Sequence, residues 1–376
     1  FIFQIILSLF GRATFILYIM QSFSISFIIF MLYKISNILF DDEDTNYIVV
    51  ILGALCFPLV FYVAFVYGLL PGMFLTLVAY YYFIKYTKEK YWYQLVISAL
   101  SINLAILLIG NNLIHLLAIF AVAVIYFIRN KDWKIIAFIV SCMFLMSASK
   151  SVITNYYEVK SQKEIAEGVP KITWIAMGMQ EGEREAGWWN RFNYDIMPEE
   201  EYDTKRITEI SKTSMKQRLN VFRDNPRYAL DFYQRKYENQ FIEPTFQSLL
   251  VTAPQRNFSN ETTLEKIRDF FVKQIYFNHT HTVLEFIMKV FQVFVYLFTF
   301  VFAVVMYKRK NEFFAIIPIA FIGGTLFNMI WEAKSRYIFP YFVFLIPLTA
   351  YGLVIVRNKI KEYKKLKEGK DEKSTI

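Results

Sequence analysis

Nine apolar segments dominate this chain, at residues 14–35, 47–66, 69–86, 93–110, 111–128, 135–152, 283–307, 313–331 and 338–356. About 20 mostly apolar residues make a helix long enough to cross ~30 Å of hydrocarbon. Lipid offers the backbone no partners, so such segments must satisfy their amides internally, as helices. The chain therefore reads as an all-α polytopic membrane protein with about nine membrane helices. Composition agrees: with 56% hydrophobic and 19% charged residues, there is too little charge to clothe a soluble domain of this length. Tyr67-Gly68 and Pro71-Gly72 fold the second and third segments into a tight hairpin. Gly110-Asn111-Asn112 alone separates the fourth from the fifth, which leaves that pair short for two full crossings.

A polar stretch, 153–282, interrupts the apolar series. The chain thus divides into N-terminal membrane helices (1–152), a polar domain (153–282), three C-terminal membrane helices (283–356) and a basic tail (357–376). No cleavable signal peptide is evident, and the opening on Phe1 inside an apolar run implies a start further upstream.

Charge orients the bundle. The polar stretch holds 18 Lys and Arg against 19 Asp and Glu, whereas the rest of the chain holds 23 against 13. The basic excess lies in short loops and the tail, which excludes a nucleic-acid binder with a folded basic face. One side of the membrane collects Lys34, Lys85, Lys88, Lys90, Arg129, Lys131, Lys134, Lys308, Arg309, Lys310 and the tail. The other has only Arg12, Lys150, Lys289, Lys334 and Arg336. The basic side is expected to be cytoplasmic. That puts 153–282 outside the plasma membrane and the C-terminus inside.

The polar domain reads as mainly helical. Asn225-Pro226 supplies an N-cap and a first-turn proline. Thr262-x-x-Glu265 is a capping box. Trp174, Trp188, Trp189, Phe192 and Tyr194 offer aromatic surface for a core. Cys56 and Cys142 sit in apolar runs as small hydrophobes. Three histidines are too scattered for a zinc set, so no metal ligand is assigned. No nucleotide-binding fingerprint occurs, which removes support for a nucleotide-fuelled pump.

Trp331-Glu332-Ala333-Lys334-Ser335-Arg336-Tyr337 concentrates three ionisable groups between two apolar spans. Charges at that depth must be paired or engaged by a ligand. Glu332 and Arg336 stand four apart and would pair on a helical turn. Alternatively, Arg336 and Lys334 face a lipid phosphate. Lys236 is a further candidate for that phosphate, against a solvated helix face as the plainer reading. Trp188 and Trp189, in a glycine-bearing stretch from Ile175 to Asn190, suit a sugar ring or else a structural turn.

The Glu332-x-x-x-Arg336-Tyr337-x-x-Pro340 pattern runs into a final apolar helix and basic tail. With Met177-Gly178, Gly187-Trp188-Trp189-Asn190 and the Tyr67–Gly72 hairpin, the chain resembles bacterial GT-C integral-membrane glycosyltransferases. The branch it resembles is that of protein mannosyltransferases and aminoarabinose transferases. The resemblance implies transfer of a sugar from a polyprenyl-phosphate donor to an acceptor outside the membrane, whether glycan, lipid or protein. It also implies a catalytic aspartate in a first outer loop, expected upstream of Phe1; Asp195 and Glu199 to Glu201 carry no local mark of a base. Arg336, aided by Lys334 or Lys236, would face the donor phosphate, and Trp188 and Trp189 the acceptor. A lipid-linked polysaccharide polymerase or ligase is the enzymatic alternative, and a transporter or flippase the non-enzymatic one.

Overall fold

The computed structural model describes residues 2–11, 15–165, 168–200, 202–254, 262–306 and 312–374, and no strand occurs among them. Phe1, Arg12, Glu201, Lys308, Arg309 and Lys310, named above, lie outside the described residues. The N-terminal block comprises α1 (Ile2–Phe10), α2 (Phe15–Phe40), α3 (Glu43–Leu55), α4 (Phe57–Phe61), α5 (Leu69–Glu89), α6 (Trp92–Leu108), α7 (Leu113–Asn130) and α8 (Trp133–Ser161). The polar stretch folds as α9 (Lys171–Gly178), α10 (Phe192–Glu199), α11 (Thr204–Asp224), α12 (Pro226–Phe241), α13 (Ser248–Thr252) and α14 (Thr263–Tyr276). The C-terminal block is α15 (His279–Met306), α16 (Ile316–Ile330), α17 (Ser335–Phe344) and α18 (Ile346–Ser374).

Among the described residues, five helices are long and apolar enough to cross a membrane: α2, α7, α8, α15 and α16, counting the short 3-10 turns that lead into α7 and α16. Two bent pairs raise the number to seven: Glu43–Leu55 with Phe57–Ala64, bent by 51°, and α17 with α18, bent by 53°. Pro58 and Pro347 stand in the first turn of the second helix of each pair. Proline has no amide to donate to the preceding turn, so the helix stops and restarts there.

The other two expected segments are helices of a different kind. The α6 helix has 17 residues, and α5 dilutes its apolar run with Tyr80, Tyr81, Tyr82 and Lys85. Both pack inside the bundle: α5 lies between α2 and α6, with Tyr80, Phe83 and Tyr86 fully buried.

The lysine- and arginine-bearing connections meet at one end of the bundle. Lys88 Nζ donates to Ile38 O, Lys90 pairs with Asp132 at 3.0 Å, Arg129 with Glu312 at 2.6 Å, and Arg357 with Asp44. The acidic Asp41–Asp44 run is explained by these contacts. Asp42 caps α3 by accepting from Thr45 N at 2.7 Å, and Asp44 holds the root of the tail.

In the polar stretch, Asn225 caps α12 by accepting from Tyr228 N at 3.1 Å. The Thr262–Glu265 capping box closes with both bonds, at 3.2 and 3.0 Å. The α8 helix runs on to Ser161, past the expected boundary at 152. Met179, Ala186, Phe222 and Phe232 form a small core of the module's own. Burial of each such aromatic side chain stabilises by ~1.5–3 kcal/mol. The module docks onto the membrane block through α12, which packs on α16 and α17.

Candidate functional site

A cavity of about 440 Å³ opens where α17 begins, below the polar module. The chain between α16 and α17 is extended: Trp331 has φ −88°, ψ −162°, and Lys334 has φ −148°, ψ 147°. Helix geometry starts only at Ser335, so Glu332 and Arg336 do not share a helical face. The expected Glu332–Arg336 pair is therefore replaced by other partners. Glu332 pairs with Lys334 and accepts from Tyr337 OH at 2.8 Å. Arg336 Nη2 donates to that same tyrosine oxygen at 3.3 Å, with its guanidinium 5.1 Å from the ring centre. Among the described residues no carboxylate forms an ion pair with Arg336. Burial disfavours the charged form of Lys334 and lowers its pKa, while Glu332 opposes the shift.

The cavity is walled by Tyr62, Phe65, Met73, Trp174, Trp331 and Pro340, and by His115 from α7. Trp331 stacks on Trp174 with centroids 6.2 Å apart and on Phe327 at 5.2 Å. His115 shares a 2.7 Å hydrogen bond through Nδ1 with Tyr80 OH and lies on Tyr341 at 4.7 Å between ring centres. Asn112, one turn earlier, donates to Ala105 O at 2.8 Å. Sequence reading passed over His115, because its partners come from α5 and α17, far away in the chain. The only local signal was a lone histidine in an otherwise apolar span.

Lys236 sits beside this cavity without entering it. Its ammonium donates to Gly178 O and, at 2.7 Å, to Trp331 O. The side chain is fully buried, and burial pushes its pKa down to about 7, with Glu332 acting in the opposite sense. Around it the backbones close tightly. Ala333 N donates to Gly187 O at 3.0 Å. A Cβ on Gly178 would lie 2.4 Å from Trp331 O, and one on Gly187, at φ +74°, 2.6 Å from Lys236 Cε. Glycine is the residue both positions admit. Glu243 makes a second clasp, accepting from Ser335 Oγ at 2.9 Å and from Thr245 N at 2.8 Å. Lys236 thus ties the module to the α16–α17 connection.

The two adjacent tryptophans part company. Trp188 packs beside the Lys334 side chain, whose Nζ lies 5.5 Å from its ring centre, with Arg184 at 5.7 Å. Its indole N–H is buried and makes no hydrogen bond among the described residues. Trp189 turns into a separate cleft of the polar module. The structure therefore brings Glu332, Lys334, Arg336 and Trp188 together, sequesters Lys236 next to them and sends Trp189 elsewhere.

A family model described as a conserved hypothetical integral membrane protein matches residues 12–354. Comparison with curated proteins returns no match, and comparison with solved structures returns none either. The matched span runs from just before α2 into α18 and takes in the polar module and every residue of the cavity, and the chain belongs to the conserved hypothetical integral membrane protein family.

Proposed function

We propose that the chain is a membrane glycosyltransferase that moves a sugar from a polyprenyl-phosphate donor to an acceptor outside the membrane. In this reading the basic end of the bundle is cytoplasmic, the polar module is outside, and α5 and α6 complete nine GT-C-like spans. One observation carries the proposal. The cavity at the module–membrane boundary holds a single cation, Arg336, whose charge no carboxylate neutralises by an ion pair among the described residues, while Glu332 is already held by Lys334.

A guanidinium left in such a setting favours an anion, and phosphate matches its fork of donors. The aromatic walls suit the apolar part of a lipid-linked ligand and the face of a sugar ring. The phosphate oxygen takes the electron pair of the breaking C1–O bond, so a cation fixed beside it lowers the barrier. His115, in the cavity wall, offers a further polar contact to a bound sugar. Charged groups at membrane depth mark functional sites by default.

The test uses membranes containing the full chain, incubated with radiolabelled polyprenyl-phosphate hexoses and pentoses. Label moving into a cell-surface glycan, lipid or protein supports transfer. Label crossing the bilayer while still on its carrier replaces the proposal with a flippase.

A further inference from the structure

The polar module contains a second and larger opening, a cleft of about 860 Å³ between the Gln180–Phe192 loop, α10 and α11. Its lining is unlike that of the membrane cavity. Trp189 contributes an indole that is 38% exposed, fixed by a 3.0 Å bond from Nε1 to Asn193 Oδ1. Around it stand planar hydrogen-bonding groups: Gln180, Glu183, Asn190, Glu199 and Gln217. The loop that carries them is itself locked. Asn190 Oδ1 accepts from Phe192 N at 3.1 Å, and a Cβ on Gly182 would lie 2.9 Å from Asn190 Cβ.

Part of the charge in the cleft is already paired, while Glu183 and Glu199 form no ion pair among the described residues. Glu181 is bound by Arg235 at 2.8 Å and accepts from Tyr228 OH at 2.8 Å, which holds its carboxyl below the usual range. Asp195 pairs with Arg191 at 3.1 Å, and Glu200 with Arg206. The lining carries five carboxylates against three guanidinium groups, which disfavours an anion. A neutral ligand rich in hydroxyls can bond to these groups and leave the existing pairs intact. A held aromatic face ringed by carboxylate and amide groups is what a pyranose asks for: its C–H face lies on the ring and its paired hydroxyls bridge the planar groups.

We propose that this cleft binds a neutral oligosaccharide, with Trp189 as the platform. Binding stands on the cleft alone. Its assignment as the seat of a glycan acceptor rests on the glycosyl-transfer reading. The Met177–Asn190 segment serves both chambers, since Gly178 lies against Trp331 of the membrane cavity, while Gln180 to Arg184, Trp189 and Asn190 line the cleft.

The experiment is saturation-transfer NMR and calorimetry on the full chain in nanodiscs. The probes are maltotriose, mannotriose and triacetylchitotriose, with trigalacturonate as the anionic control. At least one neutral trisaccharide is expected to bind saturably. Trp189→Ala should weaken it about tenfold, the scale of one aromatic contact. Gln217→Trp, placed on an exposed position of the lining, should block the cleft with an unchanged melting temperature, and Arg336→Ala should leave binding intact. Absence of saturable binding by all three neutral probes overturns the proposal. So does binding confined to trigalacturonate, or binding that both cleft variants leave unchanged. Sugar transfer without trisaccharide binding would remove the cleft alone, and trisaccharide binding without transfer would remove the transfer reading alone.

Discussion

Lys236 Nζ donates to the carbonyl of Trp331 at 2.7 Å, joining α12 of the polar module to the end of α16. The same ammonium holds Gly178 O, and the Gly178 backbone lies directly on that of Trp331. A side chain at position 178 would meet main-chain atoms, which cannot rotate away. Gly178→Ala is therefore expected to destabilise the protein by ~1–3 kcal/mol. It should also speed proteolysis of the polar module. Thermal unfolding in detergent and limited digestion check both, and an unchanged melting temperature would refute the packing argument.

Stability should depend on pH through Lys236. Burial lowers its folded pKa to about 7, while the unfolded chain keeps a value near ~10.4. Between these two values the unfolded state binds more protons, so stability rises with pH; below the folded value the penalty is fully present and constant. The melting temperature should climb from pH ~7 to ~9 relative to Lys236→Met, whose curve loses this component. Parallel curves would show that the ammonium is not strained by burial.

Arg336→Ala is expected to reduce sugar transfer by ~10²-fold or more, with expression and melting temperature preserved. Arg336→Lys should recover little, because an ammonium cannot hold phosphate in the two-pronged manner of a guanidinium. Initial rates with the labelled donor measure both. Full activity in the lysine variant would reduce the role to simple charge.

His115→Phe leaves the Tyr80 hydroxyl buried without its partner. The expected cost is ~1–3 kcal/mol. Removing both polar ends, in Tyr80→Phe with His115→Phe, should recover most of it. A double-mutant cycle on thermal stability reads the coupling, and strict additivity would deny the bond.

Local signals were legible in the sequence. Although reading 47–66 and 338–356 as unbroken spans missed the breaks at Pro58 and Pro347, the caps at Asn225 and Thr262 each depend on residues within a few positions of one another. The gathering of Glu332, Lys334 and Arg336 was legible for the same reason. Their pairing was not. Whether positions 332 and 336 face each other depends on where α17 starts, and Ser335, its first residue, is held by Glu243, far off in the chain. Lys236 looked like a free cation on an amphipathic helix. Only the folded module shows the carbonyls that hold it. Consecutive tryptophans read as one aromatic patch, yet the turn around them sets Trp188 beside Lys334 and sends Trp189 to the cleft.

The divergence of those neighbouring indoles has a mechanical consequence. One strand of polypeptide is the partition between a greasy chamber and a watery one, and it is stitched to the lipid-embedded helices through main-chain oxygens. Gly178 and Gly187 are pinned against Trp331 and Lys236, so displacement of one face of that partition is expected to reach the other. A ligand that fills one chamber is therefore expected to alter the other's affinity through their shared wall.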